Sequence, residues 1–306
     1  MNSNCDIAVV IVTYNRIVKL KKTLDSYCKQ SLKPEYLIIV DNASTDGTSE
    51  FLDKWKLEKE KFCKIIIHAK SNLGGSGGFH LGEEAALKLE VNWILIADDD
   101  AYPNPDYLER LITFIQEHKN ERISAVCGKV LQHNSFDNEH RVIKTTPLNG
   151  QWKRKLTKQE LSMDYLRIDL SSYVGILINK EALKKVGLVN KDYFIWLDDF
   201  EHCVRLHEYG DIYCIPSCTI VHDCSEGHDE KVSWKTYYGY RNQIDLFRRH
   251  YSKQFLYFTL LMIVKAVLCP LKGKSFTEAK VRLNGIFDGI FQHLGKNDKY
   301  KPGWKP

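Results

Sequence analysis

The chain has 306 residues, 43% of them hydrophobic, enough for a sizeable core in one large domain or two ordinary ones. Its 44 basic and 39 acidic residues are unevenly placed: residues 225–306 hold 15 Lys/Arg against 7 Asp/Glu, net +8, which leaves residues 1–224 at net −3. Nine cysteines, an odd and scattered set behind an N-terminus that leads straight into an apolar run, speak against a secreted disulfide framework and for reduced thiols in a cytosol.

Residues 7–13, IAVVIVT, form a continuous β-branched run, the mark of a strand buried on both faces. Residues 17–30 alternate apolar and basic side chains at helical spacing. Residues 36–40, YLIIV, make a second buried strand closed by DNASTDGT, whose turn and capping residues precede a helix to about residue 60. Strands follow at 63–68 and 93–97, with a helix at 78–90 between them. Alternation of strand and helix over a hundred residues predicts a parallel sheet covered by helices on both faces.

Beyond residue 100 the pattern predicts a helix at 105–118 and a strand at 123–131. Residues 133–163 read as loops with short elements. A strand at 173–179, a short helix at 180–186 stopped by Gly187, and a helix at 196–209 stopped by Gly210 come next. Two short strands, 212–215 and 219–222, close the first part. From residue 233 the chain is helical and basic. Residues 255–271, FLYFTLLMIVKAVLCPL, are seventeen residues interrupted by Lys265, short of the ~20 that a membrane-spanning helix needs. With Arg248, Arg249, Lys253, Lys272 and Lys274 around it, this helix fits either the plane of an anionic membrane or a protein interface.

In a parallel α/β sheet ligands bind beyond the carboxyl ends of the strands, and polar residues cluster there. Thr13, Tyr14, Asn15 and Arg16 follow the first strand, and Asp41 and Asn42 the second. The glycine-rich NLGGSGGF, Asn72 to Phe79, follows the third, and Asp98, Asp99 and Asp100 the fourth. Three consecutive carboxylates repel one another, and burial raises their pKa values unless a cation compensates. Residues leaving a strand alternate sides, so Asp98 and Asp100 face one way and Asp99 the other. Hard divalent cations take such oxygen ligands and bridge them to phosphates. Cys214, Cys218 and Cys224 near His222 match no compact zinc-knuckle spacing.

VVIVTYNR, IIVDNASTDGT, the glycine stretch and DDD, in this order, resemble the nucleotide-sugar domain of family 2 glycosyltransferases with the GT-A fold. YFIWLDDFEHCVRL and the histidine of IVHD extend the resemblance to about residue 223, and YYGYRN is similar too. No single motif is specific; the ordered set is. The resemblance implies a Rossmann-like, mostly parallel sheet in a catalytic domain over residues 1–224, with a basic helical region over 225–306. The form of the glycine stretch resembles that of galactofuranosyltransferases and rhamnosyltransferase-like relatives.

Carried over by position, the resemblance puts Thr13, Tyr14, Asn15, Arg16, Asp41, Asn72, Gly74, Gly75, Gly77, Gly78, Asp98 and Asp99 at the sugar-nucleotide donor. Asp41 matches the carboxylate that accepts from uracil N3–H, and the glycines let backbone approach the diphosphate. Asp98, Asp100 and His222 would hold Mn²⁺ or Mg²⁺. Asp199 matches the general base of an inverting transfer, in which one carboxylate takes the acceptor hydroxyl's proton. Asp198 and Glu201 support it, and Trp196 and Asp198 contact the acceptor. Trp196 departs from the family pattern, because Leu197 separates it from the paired aspartates. The expected enzyme transfers galactofuranose from its UDP donor to a lipid-linked surface polysaccharide, as in O-antigen or capsule synthesis. It would be cytoplasmic and peripheral at the inner face of the cell membrane. Rivals are a rhamnosyltransferase using dTDP-rhamnose and a non-catalytic sugar-nucleotide or glycan-binding protein. A nucleic-acid partner is not expected, since the basic tail lacks the interleaved aromatics of a recognised module.

Overall fold

A computed structural model describes residues 6–132, 135–148, 151–224 and 232–306. The expected alternation opens the chain: β1 (Ile7–Thr13), α1 (Ile17–Cys28), β2 (Tyr36–Asp41), α2 (Thr48–Lys56), β3 (Cys63–His68), α3 (Gly74–Leu87) and β4 (Trp93–Asp98). These four strands pair in parallel, with β1 between β2 and β4 and β3 outside β2. All seven residues of β1 are buried, as an apolar run with no polar alternation requires of a central strand. One face of the sheet is covered by α1, α2 and α4 (Tyr107–Glu117), the other by α3 and the later helices.

The sheet then departs from sequence order. The short β5 (Ala101–Pro103) precedes α4, and β6 (Ile123–Gln132) and β7 (Ser135–Phe136) follow it. Farther on come β10 (Leu166–Ile168), β12 (Ile176–Asn179), α5 (Lys180–Val186), α6 (Asp198–Leu206) and β13 (Asp211–His222). The order across the main sheet is β10-β13-β6-β12-β4-β1-β2-β3. Strand β12 runs antiparallel to both of its neighbours, so the sheet is mixed in its second half. The two short strands expected near residues 212–222 are one strand with a register shift between Ile215 and Thr219.

Residues 133–163 hold more structure than loops. β8 (Arg141–Leu148) and β9 (Gln151–Lys155) form a hairpin joined by β11 (Leu170–Ser171) into a second, three-stranded sheet. Arg141 pins it down: fully buried, it donates from Nε to Gly128 O at 2.8 Å and from Nη2 to Val174 O at 2.6 Å. A buried cation is tolerated when every donor finds an oxygen.

Three helices complete the chain: α7 (Trp234–His250), α8 (Ser252–Leu268) and α9 (Phe276–Ile290). Glycines let α7 and α9 touch; a Cβ on Gly285 would lie 2.5 Å from Tyr237 O, and one on Gly289 2.5 Å from Arg241 O. Residues 252–272 make one stretch of 21 residues long and apolar enough to cross a membrane by length and composition, longer than the seventeen read from the pattern. Its inner side packs on the protein, Phe258 stacking on Phe247 with ring centroids 3.7 Å apart. Leu256, Leu260, Val264, Val267 and Leu271 on the other side are exposed.

Candidate active site

The carboxyl ends of β1, β2 and β4 and the start of α3 surround a cavity of about 260 Å³. Thr13, Tyr14, Arg16, Asn72, Gly74, Gly75, Asp98 and Asp99 line it, all of them expected from the sequence. Asn15 stands at its rim with positive φ, its Oδ1 accepting from Thr45 N–H at 2.6 Å. Asp41 lies deeper: it is buried and accepts from Ser44 N at 3.0 Å, from the Ser49 hydroxyl and from His68, so its carboxylate is already held by protein. Asn42, read in the sequence only as part of the polar cluster after β2, ties two loops together by donating to Gly74 O at 2.8 Å and accepting from Leu73 N at 2.9 Å.

The glycine stretch is the first turn and a half of α3, not a loop before a helix at residue 78. Glycine weakens a helix interior, so packing has to favour this one. A Cβ on Gly78 would lie 2.4 Å from Val12 Cγ1, and on Gly82 2.2 Å from Val10 Cγ1. Gly74, at φ +74°, passes so close to the chain ahead of α6 that a Cβ would be 2.0 Å from Phe194 O. Gly78 therefore serves helix–strand contact, and only Gly74 and Gly75 of the four face the cavity. The amino end of α3 is also turned towards it; its Gly74 and Ser76 N–H groups already donate to Asn72 Oδ1 and Phe194 O, and the helix dipole there favours negative charge.

The strand ends at Asp98, so the triplet does not alternate cleanly: Asp98 and Asp100 both turn to His222, but Asp99 and Asp100 share Arg16. Asp99 accepts from Thr13 Oγ1 at 2.7 Å and from Arg16 Nη1 at 3.2 Å. Asp100 Oδ2 accepts from Arg16 at 2.8 Å and Lys19 at 3.4 Å, while its Oδ1 is buried without a hydrogen-bond partner. His222, at the end of β13, brings Nε2 to 3.3 Å from that oxygen and 3.9 Å from Asp98 Oδ2. Its other nitrogen faces His140 Nε2 at 3.2 Å, and His140 in turn meets Asp137 at 3.1 Å and Ser172 Oγ at 2.6 Å. Burial and the charge of Asp100 push Asp98 up to about 7, whereas the His222 contact and the Arg16 and Lys19 charges hold Asp100 low against its burial. His222 is raised to about 10 by its contacts with Asp100 and Cys224 and the charge of Asp98, against burial. A carboxylate oxygen that meets only the His222 ring nitrogen, with a second, partly exposed carboxylate beside it, fits a divalent cation.

Asp198 and Asp199 open α6. Burial raises both, Asp199 to about 8, with the Asp198 charge adding to the rise and Lys153 of β9 opposing it. The chain ahead of them is strained: Phe194, Trp196 and Leu197 all have φ between 65° and 67°. Such residues persist only where the surroundings over-determine them. Here Asn242 of α7 donates its amide to Tyr193 O, Ile195 O and Trp196 O at 2.8–3.0 Å, and Arg241 donates to Asp192 O and Tyr193 O. Trp196 remains 43% exposed at the surface beside Lys235. Glu201 does not join the group; it accepts from Arg205 at 2.9 Å and meets His250 at 2.9 Å, a framework ion pair. Asp199 and Glu201 are two positions apart on a helix, about 200° around its axis, so they face opposite ways.

Lining residues not foreseen include Phe194 and Ile195 ahead of α6 and Trp234, Lys235 and Pro302 from the C-terminal region. Phe194 also packs with Tyr237, Tyr238 and Tyr300, so the C-terminal helices form one wall of the site. The boundary drawn at residue 224 adjoins residues 225–231, outside those described. The three-cysteine grouping does not form: Cys214 and Cys218 are buried in the core, Cys218 Sγ against Tyr107 O, and only Cys224 meets His222.

A mostly parallel sheet with a cavity at its strand ends, rimmed by a carboxylate triplet and a late histidine, defines a GT-A glycosyltransferase enzyme. The chain belongs to glycosyl transferase family 2, whose profile matches residues 8–187. Among curated relatives it is 28% identical over 211 residues to galactofuranosyltransferase GlfT1 of Mycolicibacterium smegmatis, covering 67% of this chain and 66% of that one. It is 23% identical over 275 residues to galactofuranosyltransferase GlfT2 of the same organism, covering 81% of this chain and 41% of that one. The chain thus spans two thirds or less of these relatives. The fold is shared with GalNAc-T7 solved with UDP, GalNAc and Mn²⁺, at TM-score 0.65 and 16% identity over 94% of this chain and 56% of that one. It is also shared with S. aureus TarS in complex with UDP-GlcNAc, at TM-score 0.61 and 17% identity over 93% and 80%.

Proposed function

We propose that the chain transfers galactofuranose from UDP-galactofuranose to a glycan acceptor with inversion at the anomeric carbon, and that Asp199 is the general base. The observation that carries this reading is Asp199 itself. It is a carboxylate fixed by Phe200 N–H at 2.7 Å, raised by burial into the range where a base works near neutral pH, and close enough to the triplet to feel the charge of Asp98. Support for the furanose donor comes from similarity to two galactofuranosyltransferases and from the form of the glycine stretch; UDP is supported by the nucleotide in the fold neighbours.

In this reading Thr13, Tyr14, Arg16, Asn72 and Gly75 hold the nucleotide diphosphate, and the amino end of α3 faces its charge. Asp98, Asp100 and His222 would hold Mn²⁺ or Mg²⁺, which would supply charge stabilisation for the departing diphosphate. Asp199 takes the proton of the acceptor hydroxyl as that oxygen attacks the anomeric carbon from the face opposite the diphosphate. Trp196 and Asp198 orient the acceptor. The exposed apolar side of α8, with Lys253 and Lys272 at its ends, lies on an anionic membrane and brings the site to a lipid-linked acceptor on the cytoplasmic side. The test is transfer from UDP-galactofuranose, measured beside UDP-galactose, UDP-glucose and dTDP-rhamnose, with Asp199→Asn as control. Selective use of the furanose, lost in the variant, is expected; preference for dTDP-rhamnose, or full activity of the variant, overturns the assignment.

A further inference from the structure

Lys235 lines the cavity but has no part in the reading above. It is the second residue of α7, half-buried, and shares the cavity wall with Arg16, Asp98 and Asp99. Its Nζ lies 5.9 Å from the Trp196 ring centroid and 5.8 Å from that of Trp234, at the outer limit of a cation–π contact, so neither indole seats it. Among the described residues no carboxylate pairs with Lys235. The other two cations at the triplet are engaged: Arg16 Nη1 with Asp99 and Asp100, and Lys19 with Asp100 and Asp223.

The place is a poor one for an ammonium unless an anion shares it. A cation in the first turn of a helix opposes the helix dipole. Burial and the charge of Arg16 lower the pKa of Lys235, and the charges of Asp98, Cys224 and Asp100 offset this only in part. An anion in the cavity beside Nζ answers the dipole, Lys235 and Arg16 together. The ammonium is close both to the triplet, whose charges it feels, and to Trp196, the residue assigned above to the acceptor. In an inverting transfer the bond that breaks lies between donor and acceptor, with the β-phosphate oxygen on the donor side.

We propose that Lys235 binds the β-phosphate of the sugar nucleotide and stabilises it as the leaving group. This rests on the sugar-nucleotide reading made above and deepens it, since it names the side chain that meets the departing charge. In the transfer the bond from the anomeric carbon to the β-phosphate oxygen breaks, and its electron pair stays on that oxygen. The acceptor oxygen bonds to the anomeric carbon, and the acceptor's proton goes to Asp199. The nucleoside diphosphate gains one negative charge as it leaves, and Lys235 Nζ–H donates to it while keeping its proton. Such a bond is stronger in the transition state than before it, so it acts on kcat. A ligand ending at the α-phosphate does not use it.

Calorimetric titration of the full chain with UDP and with UMP, each with Mn²⁺ present, tests this. Lys235→Met keeps the apolar stem and removes the charge. It should bind UDP about 10–100-fold more weakly, as loss of a charge-assisted hydrogen bond does, with UMP affinity held within about two-fold. Lys235→Arg keeps the charge and should retain most of the UDP affinity. In Lys235→Met, kcat for transfer should fall about 10²–10³-fold, the usual cost of losing a donor to developing charge. An unchanged ratio of UDP to UMP affinity in folded Lys235→Met, or a kcat within a few-fold of the parent, overturns the role of Lys235 and leaves the sugar-nucleotide reading standing. A parent chain that binds neither UDP nor UMP overturns that reading and this proposal with it.

Discussion

Replacing Asn242 with alanine tests how the proposed base is held in place. Asn242 is fully buried on α7, and its Nδ2 faces three carbonyl oxygens: Tyr193 and Ile195 at 3.0 Å and Trp196 at 2.8 Å. The amide has two hydrogens for three acceptors, so one bond is shared. Two bonds at about 0.5–1.5 kcal/mol each, plus part of the penalty for carbonyls left buried, put the loss at roughly 2–4 kcal/mol. Against this clamp stand three non-glycine residues with positive φ, each storing about 1–3 kcal/mol. Strain and restraint are of similar size, so removing the restraint lets residues 194–197 relax and carry Asp198 and Asp199 with them. A misplacement of about 1 Å costs on the order of 10²-fold in rate. Urea unfolding of Asn242→Ala should show the stability loss. At a temperature where the variant is fully folded, kcat/KM for transfer should fall about 100-fold while UDP affinity falls far less. A folded variant with kcat/KM within a few-fold of the parent would refute the idea that the clamp positions the base.

Other expectations follow from single contacts. Because burial raises Asp199 to about 8 and only the deprotonated carboxylate accepts a proton, kcat/KM should climb as pH rises through about 8; Asp198→Asn removes the neighbouring charge and should move that limb to lower pH. Gly78→Ala drives a methyl to 2.4 Å from Val12 Cγ1 and should cost about 1–3 kcal/mol by overpacking, read as a lowered Tm. Leu260→Glu with Val264→Glu charges the exposed side of α8, so co-sedimentation with anionic vesicles should drop while turnover of a soluble acceptor holds. Vesicle binding that survives both changes would place the contact elsewhere.

How far the sequence could be read depended on burial. Strands β1, β2 and β4 are sandwiched between helix layers, and a strand buried on both faces announces itself as an unbroken apolar run. The second sheet was missed because it is partly exposed: QWKRK of β9 buries only Trp152, so no clear alternation marks it. The start of α3 was placed four residues late because glycines read as loop, while contacts with Val10, Val12 and Phe194 override that preference. Among site residues, those at strand ends were legible because topology alone puts them at the cavity. Lys153, Lys235 and Pro302 reach the site only through tertiary packing, which no local pattern encodes. Glu201 turns to Arg205 and His250, since position in a first turn says nothing of which side of the helix a residue faces.

The place of β12 in the sheet has a consequence for synthesis. Strands β1 to β4 can pair in the order in which they emerge, since each finds its neighbours among residues already made. The next main strand, β6, has no neighbour in that group, because the four residues of β12 lie between it and β4. Until residues 176–179 have been translated, the sides of β4 and β6 that will meet β12 therefore stay open, and unpaired edges invite pairing with other chains. The sheet is closed from the middle by a late, short insert, so the interval between translation of residues 98 and 176 is when a nascent chain most needs protection from its neighbours.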